Sequence, residues 1–190
     1  MWWERVSKII NNQFPITKKV SITKIQNLNF DYWKLFIDYF PLLFSMPTYH
    51  IKTLDDLQTF ARGLVAKLKG GDVVALAGPL GVGKTALVQF VAKELGIRAS
   101  VRSPSFNVLK AYPVRPAARG ISQLCHIDLY RLNKKAWERL GFEEYLGEPQ
   151  TVCFVEWAEK MQAALPRSAV WVRMRQGSGA SRMLSVDKAQ

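Results

Sequence analysis

The octapeptide Gly78-Pro79-Leu80-Gly81-Val82-Gly83-Lys84-Thr85 limits the possible folds and functions more than any other segment of this chain. It matches the pattern GxxxxGK[ST], and an apolar run, Val73 to Ala77, directly precedes it. Gly81 and Gly83 lack side chains, so backbone N–H groups can close around a phosphate at the start of the following helix. The sequence therefore predicts a nucleoside triphosphate site at a strand-to-helix turn.

The last two residues of this phosphate loop carry its side-chain chemistry. The Lys84 ammonium is expected to reach the β- and γ-phosphates, and the Thr85 hydroxyl is expected to bind Mg²⁺. The ion needs a carboxylate partner, and Asp128 and Glu156 each end an apolar run. Glu156 follows four consecutive apolar residues, which favours it as the metal ligand, whereas Asp128 is predicted to orient or deprotonate the attacking water. For either carboxylate, a helix cap or a surface ion pair is the alternative role.

The pattern of apolar residues predicts an α/β fold of the P-loop NTPase type. It has a mostly parallel central sheet with helices on both faces and a C-terminal hairpin. Helices are predicted from Leu54 to Gly70-Gly71 and over Leu87–Leu95. The predicted strands are Tyr49–Lys52, Val73–Ala77, Phe106–Ala111, Leu124–Leu129 and Thr151–Val155, followed by the hairpin strands Ala169–Arg175 and Arg182–Val186.

The first 46 residues differ in composition from the rest, which predicts two parts, residues 1–46 and a P-loop ATPase domain of residues 47–190. None of the 12 glycines lies in the first part, and six basic minus three acidic residues give it a net charge of +3. We interpret it as an appendage, or as a stretch translated ahead of a true start at Met46. The alternative is an aromatic, basic helix lying on a membrane surface.

Charge and cysteine content narrow the partners and the compartment. The 27 Lys and Arg against 15 Asp and Glu give a net charge of +12, which suits an anionic partner without choosing among nucleotide, nucleic acid and acidic lipid. Two cysteines exclude a disulfide framework, and the lack of a Cys/His cluster excludes structural zinc. The most apolar stretch, Leu35 to Met46, contains Asp38 and Pro41 and is too short to span a membrane. A cytoplasmic protein is expected.

A Ras-like GTPase is disfavoured by two missing signatures. The string nearest to NKxD, residues 133–136, has Ala136 where guanine recognition needs Asp. No DxxG follows the phosphate loop either, because Asp128 leads to Arg131.

Five motifs occur in an order that resembles the TsaE family (also called YjeE), small bacterial ATPases that support threonylcarbamoyladenosine modification of tRNA. The resemblance covers about residues 47–186 and depends on Gly78–Thr85, Ser103-Pro104-Ser105-Phe106, His126-Ile127-Asp128-Leu129-Tyr130-Arg131, Leu140–Leu146 and Val155-Glu156-Trp157-Ala158-Glu159. It implies that ATP and Mg²⁺ are the cofactors. It also implies partnership with the tRNA-modifying subunit and its paralogue-like partner (TsaD and TsaB types), with tRNA contacted indirectly.

The resemblance also implies residue roles. Residues Leu80, Gly81, Val82, Gly83, Lys84 and Thr85 would surround the ATP phosphates, with Thr85 and Glu156 on Mg²⁺. Trp157 would stack on the base, and Asp128 would take part in hydrolysis together with Lys84 and Glu156. Ser103 to Phe106 would form a nucleotide-responsive loop. Hydrolysis would reset the modifying enzyme between turnovers.

Several alternatives stay open at this point. His126 is either a core histidine or a base, Trp157 either packs or stacks, and Arg131 either contacts phosphate or is solvated. The insert Pro113 to Ser122 is either a surface loop or a tRNA-facing segment. The alternative functions are a small-molecule kinase and a nucleotide-gated module that binds RNA or a membrane. The kinase would use a lid containing the arginines Arg98, Arg102, Arg115 and Arg119.

Overall fold

A computed structural model describes residues 47–132 and 141–188 as one seven-stranded sheet with helices packed on it. The predicted extension, residues 1–46, lies outside the described residues. The strands are β1 (Thr48–Ile51), β2 (Val73–Ala77), β3 (Leu109–Ala118), β4 (Ile121–Asp128), β5 (Thr151–Glu156), β6 (Val170–Gln176) and β7 (Arg182–Lys188). The α-helices are α1 (Leu54–Val65) and α2 (Lys84–Glu94), and the 3₁₀ helices are Phe142–Tyr145 and Ala158–Ala164.

The sheet has a parallel centre and antiparallel edges. The strand order is β1-β7-β6-β2-β5-β4-β3. Strand β2 runs parallel to both β5 and β6, and β4 runs parallel to β5, whereas β1, β3 and β7 pair antiparallel with their neighbours. The predicted mostly parallel sheet and C-terminal hairpin are therefore confirmed.

Strand β2 is buried on both faces, as its continuous apolar sequence predicts. Val74 and Leu76 belong to the cluster that contains the apolar sides of α1 and α2. Val73, Ala75 and Ala77 belong to a second cluster, which includes residues of the 3₁₀ helix Ala158–Ala164. Because successive side chains of a strand point to opposite faces, β2 joins the two cores.

The structure corrects three sequence-based boundaries. Helix α2 begins at Lys84 rather than Leu87, because the last glycine of the phosphate loop occupies the N-cap position. Helix α1 ends at Val65, before the predicted Gly70-Gly71 stop. Strand β3 begins at Leu109 rather than Phe106, because the backbone amides of Asn107 and Val108 bond back to the carbonyl of Pro104 in a turn.

The segment Pro113 to Ser122 is not a loop, which corrects the predicted surface insert. Its first residues continue β3, a turn follows at Arg119 and Gly120, and β4 starts at Ile121. The Arg119 Nε donates to the carbonyl of Leu68, 3.2 Å away, which ties this turn to the chain after α1. Within the described ranges, no helix is both long and apolar enough to cross a membrane.

Candidate functional site

The phosphate loop turns between β2 and α2 at the carboxyl edge of the parallel strands. Gly78 has a φ of 143°, and a Cβ there would lie 2.3 Å from the carbonyl oxygen of Met174. Gly83, at the N-cap of α2, has a φ of 112°. Both positions need glycine, because L side chains rarely adopt these conformations and the first also lacks space for one. The glycine spacing of the motif therefore fixes a loop whose backbone stays close to β6.

A cleft of about 370 Å³ opens beside this loop. The ends of β4 and β5 form its opposite wall, because the register places Asp128 beside Glu156 in neighbouring parallel strands. The lining residues are Leu80, Gly81, Gly83, Lys84, Thr85, Ala86, Ser103, Ser105, Asp128, Tyr130, Arg131, Glu156 and Trp157. All the site residues predicted from the sequence line this cleft except Val82, which is buried in the core.

Thr85 and Glu156 are in direct contact, although 71 positions separate them. The Thr85 Oγ1 donates to the carboxylate at 2.8 Å from Oε1 and 3.1 Å from Oε2. Glu156 is 3% exposed, so this carboxylate depends on protein donors rather than on water. The structure thus brings together the two residues predicted to bind the metal.

His126 is the second protein donor to Glu156. Its Nε2 lies 2.8 Å from Oε1, and because a carboxylate only accepts, the proton belongs on Nε2. The ring is fully buried and its Nδ1 has no partner among the described atoms. His126 therefore supports Glu156, whereas Asp128 has other partners. The core or hydrogen-bonding interpretation of this histidine is the one that the contacts favour.

Asp128, beside Glu156 on the same wall of the cleft, is held by two donors. Its Oδ1 accepts from the backbone N–H of Tyr130 at 2.9 Å, and its Oδ2 accepts from the Ser103 hydroxyl. The Ser103 oxygen in turn accepts from the Ser105 N–H at 3.3 Å. The Ser103 to Phe106 segment thus reaches Asp128 through a side chain, which ties the predicted nucleotide-responsive loop to the carboxylate.

Lys84 is folded back on its own loop. Its Nζ donates to the carbonyls of Gly78 and Pro79, at 2.7 and 2.9 Å. The same atom lies 3.9 Å from the centre of the Trp157 ring. Burial lowers the pKa of Lys84, and Glu156, Glu159 and Asp128 oppose that effect. The ammonium therefore lies at the cleft, where its partners are two backbone carbonyls and the face of the Trp157 ring.

Aromatic and basic side chains form the rim of the cleft. Trp157 has a φ of 60°, unusual for a residue with a side chain, and its ring centre lies 5.1 Å from that of Tyr130. The Arg131 guanidinium stacks at 4.3 Å over Phe106, which is 81% exposed. Trp157 is partly exposed and lines the cleft, so it offers a ring face to a ligand while packing against Tyr130.

The arginines of the alternative kinase lid do not gather at this cleft. Arg98, Arg102, Arg115 and Arg119 are not among the residues that line it. Residues 115 and 119 lie toward the far end of the sheet, since β3 runs from Leu109, beside Ile127, to Ala118, beside Ile121. Arg131 is the arginine that lines the cleft in the described part of the chain.

Sequence reasoning did not single out Lys160. Its Nζ donates to the carbonyls of Leu129, Tyr130 and Leu132, in the segment that follows β4. These partners lie 28 to 31 positions earlier in the chain, so no local pattern signals them. Tyr130 and Arg131 carried a weak signal, since they follow Asp128 in one of the motifs.

Comparisons with known proteins agree with this geometry. A family model described as "Threonylcarbamoyl adenosine biosynthesis protein TsaE" matches residues 51–184. A protein of Bacillus subtilis (strain 168) named "tRNA threonylcarbamoyladenosine biosynthesis protein TsaE" is 34% identical over 131 residues, which cover 69% of this chain and 78% of the relative. A protein of Synechocystis with the same name is 35% identical over 116 residues, covering 60% and 71%. The crystal structure of Bacillus subtilis YdiB aligns with a TM-score of 0.63 and 27% identity, covering 76% of this chain and 86% of that one.

Proposed function

The chain belongs to the TsaE family, and from this premise we propose that it is a Mg²⁺-dependent ATPase. We further propose that it supports threonylcarbamoyladenosine modification of tRNA by driving turnover of the modifying complex. The relatives named for this biosynthesis, which the chain covers over most of their length, support the biological role. We assign the activity to residues 47–190 and treat residues 1–46 as an appendage.

The contact between Thr85 and Glu156 is the observation that carries the proposal. Mg²⁺ prefers oxygen ligands, and in nucleotide sites it takes one or two protein oxygens together with phosphate oxygens and water. A hydroxyl and a buried carboxylate beside a phosphate loop fit that requirement. When bound, the ion would neutralise charge on the phosphates. His126 keeps the Glu156 carboxylate in place for this role.

The phosphate loop supplies the binding energy for the triphosphate. Residues of this loop and of the first turn of α2 line the cleft, and the backbone N–H groups of such a helix start attract anions. Lys84 would exchange its carbonyl partners, Gly78 and Pro79, for the β- and γ-phosphates. This exchange replaces neutral acceptors by charged ones, which make shorter and stronger hydrogen bonds.

Asp128 is the residue best placed to handle the attacking water. It lines the cleft directly beside Glu156, and two donors fix the orientation of its carboxylate. A carboxylate held in this way can accept a hydrogen bond from water and align its oxygen with the terminal phosphate. Arg131 would stabilise the charge that develops on the transferred group, as arginines do in related chemistry.

We propose that Trp157 and Tyr130, which both line the cleft, bind the base. Trp157 follows Glu156 directly, so the base and the metal ligand are positioned by the end of one strand. An indole face beside a phosphate loop can stack on any base, so stacking does not choose among them. Adenine is proposed because the chain belongs to the TsaE family. The absent guanine signatures agree with it.

Partner subunits of TsaD and TsaB type are proposed to dock near the mouth of the cleft. Leu80 and Phe106 are 70% and 81% exposed there, which leaves apolar surface for a protein contact. In this scheme, loops that hold the γ-phosphate relax after hydrolysis and the modifying enzyme is reset. The chain would contact tRNA only through its partners, in the cytoplasm.

The direct test is ATP hydrolysis by the full chain, alone and with the TsaD-type and TsaB-type subunits. We expect slow release of phosphate alone and clear stimulation by the partners. Glu156→Ala should abolish the stimulated rate, whereas Glu148→Ala, which changes an exposed carboxylate outside the cleft, should retain it. No stimulation by competent partners would overturn the proposal. Transfer of phosphate to a small acceptor in place of water would instead favour a kinase.

A further inference from the structure

Lys160 ties together the segment that leaves β4. Its ammonium donates to the carbonyl of Leu129 at 2.9 Å, to that of Leu132 at 3.3 Å, and to that of Tyr130. A lysine ammonium has three N–H donors, so these carbonyls use its full capacity. Lys160 makes no salt bridge with any residue that the structure describes. Its charge is therefore used to gather backbone oxygens and not to pair with a carboxylate.

The segment held in this way, Leu129 to Leu132, contributes Tyr130 and Arg131 to the wall of the cleft. It also makes the backbone bond to Asp128, through the N–H of Tyr130. Two further bonds anchor it: Leu129 N–H donates to the Glu156 carbonyl at 3.2 Å, and Leu132 N–H donates to the Leu129 carbonyl at 3.0 Å. These N–H groups bond to the ends of β4 and β5 or within the segment, whereas three of its carbonyls converge on Lys160.

Without a cation, three carbonyl oxygens that converge on one point would repel one another and would each need water. The ammonium removes that repulsion and fixes the curvature of the segment. Its Nζ also lies 5.8 Å from the ring centres of Tyr130 and of Trp157, within the range of cation–π attraction. Lys160 itself is not among the cleft-lining residues, so any effect it has on chemistry passes through the groups it holds.

We propose that Lys160 is a positioning residue that sets the place of Arg131, and with it the Tyr130 contact to Asp128, during nucleotide hydrolysis. The inference rests on the proposed ATPase function. Its physical basis is that small displacements of a group that stabilises a transition state cost large factors in rate, while the phosphate loop still binds nucleotide. Lys160 should therefore influence kcat much more than KM.

The test compares Lys160→Met and Lys160→Arg in the full chain with its partner subunits. Lys160→Met keeps the length of the side chain and removes its donors, so kcat should fall about 10- to 100-fold with little change in KM. Lys160→Arg keeps the charge and several N–H donors for the three carbonyls, so it should recover most of the rate. Lys93→Met is the matched control, since Lys93 is exposed on the last turn of α2. An unchanged kcat in Lys160→Met would overturn the proposal, as would a failure of Lys160→Arg to recover the rate.

A double-mutant cycle identifies the residue through which Lys160 acts. Arg131→Ala alone should lower kcat, and adding Lys160→Met to it should lower kcat little further, because the group being positioned is already gone. If the two losses multiply, Lys160 does not act through Arg131 and the proposal is wrong.

Hydrogen exchange separates this proposal from the function on which it rests. In Lys160→Met, the amide of Leu132 should exchange faster than in the unmodified chain, while amides of β2 should be unchanged. If the unmodified chain with its partners releases no phosphate, the proposed function fails, and exchange still tests whether Lys160 holds the segment. Unchanged exchange at Leu132 would overturn the positioning role in either case.

Discussion

Two hydrogen-bonded pairs of a threonine and a carboxylate lie in very different parts of this molecule. At the start of α1, the Thr53 hydroxyl accepts from the Asp56 N–H at 3.1 Å, and the Asp56 carboxylate accepts from the N–H groups of Lys52 and Thr53, both at 2.9 Å. At the cleft, the Thr85 hydroxyl donates to Glu156, which also accepts from His126. The first pair spans three positions of the chain and the second spans 71.

The difference between the pairs shows what each arrangement can do. The capping box at α1 is exposed, so water competes for every bond in it, and its benefit is a well-defined helix start. Glu156 is buried together with its donor His126, so water cannot replace a donor that is lost, and the carboxylate would keep an unsatisfied oxygen. Local pairs of this kind stabilise an element, whereas the buried, long-range pair places chemical groups from different strands at one point.

The largest expected effect comes from removing Lys84, the buried ammonium near Glu156 at the cleft. Lys84→Ala should weaken ATP binding by on the order of 2–5 kcal/mol, because the phosphates lose a charge-assisted partner in a desolvated site. Isothermal titration calorimetry measures this directly. Lys93→Ala removes an exposed lysine from the same helix and should leave the affinity unchanged. Equal affinities for the two variants would contradict the assignment of Lys84 to the phosphates.

A smaller effect is expected on stability when the donor to Glu156 is removed. His126→Phe keeps an aromatic ring but leaves Glu156 with Thr85 as its donor, so the free energy of unfolding should fall by about 1–3 kcal/mol. Urea unfolding gives the value. His50→Phe changes the other histidine of the chain, which is exposed on β1, and should have little effect. If both variants are equally stable, the His126 bond does not stabilise the fold.

The exposed Thr53–Asp56 capping box should contribute less to the free energy of unfolding than the buried His126–Glu156 bond. Thr53→Ala removes the N-cap hydroxyl of α1 and should lower the free energy of unfolding by about 1 kcal/mol. Thr59→Ala, at an exposed position inside the same helix, should be neutral or slightly stabilising, since alanine is the better helix former. A larger loss for Thr59→Ala than for Thr53→Ala in urea unfolding would show that the cap is unimportant.

The smallest effect concerns pH. Backbone bonds from Lys52 and Thr53 lower the pKa of Asp56 below its usual value of 3.8. A depressed carboxyl pKa contributes stability that is complete above the unfolded value and is lost as pH falls through the folded one. The stability difference between the unmodified chain and Asp56→Asn should therefore shrink as pH is lowered below 3.8. Asp55→Asn, in the same turn but outside the capping box, is the control, and an equal response from both would contradict the prediction.

Most of the fold followed from the sequence, and the errors have physical explanations. The buried strand β2, the parallel centre of the sheet and the C-terminal hairpin are confirmed, as is membership of the TsaE family. The segment Pro113 to Ser122 was misassigned because its two prolines and two arginines resemble a loop. The strand β3 accepts these residues because it lies at the edge of the sheet. At an edge, a proline without an N–H can face solvent, and the arginine side chains can reach water.

The sequence by itself determined the features whose partners are neighbours in sequence, and the tertiary structure decided the contacts between distant segments. Glycines at fixed spacing dictate the phosphate loop, and Thr53 with Asp56 dictates the start of α1, since their partners lie within a few residues. The alignment of β4 with β5, which places Asp128 beside Glu156, gave Glu156 its bond to His126. Packing of the 3₁₀ helix Ala158–Ala164 brought Lys160 to the carbonyls of the segment Leu129–Leu132, which follows β4. Such contacts depend on strand register and on packing between elements, and a linear sequence specifies neither until the chain is folded.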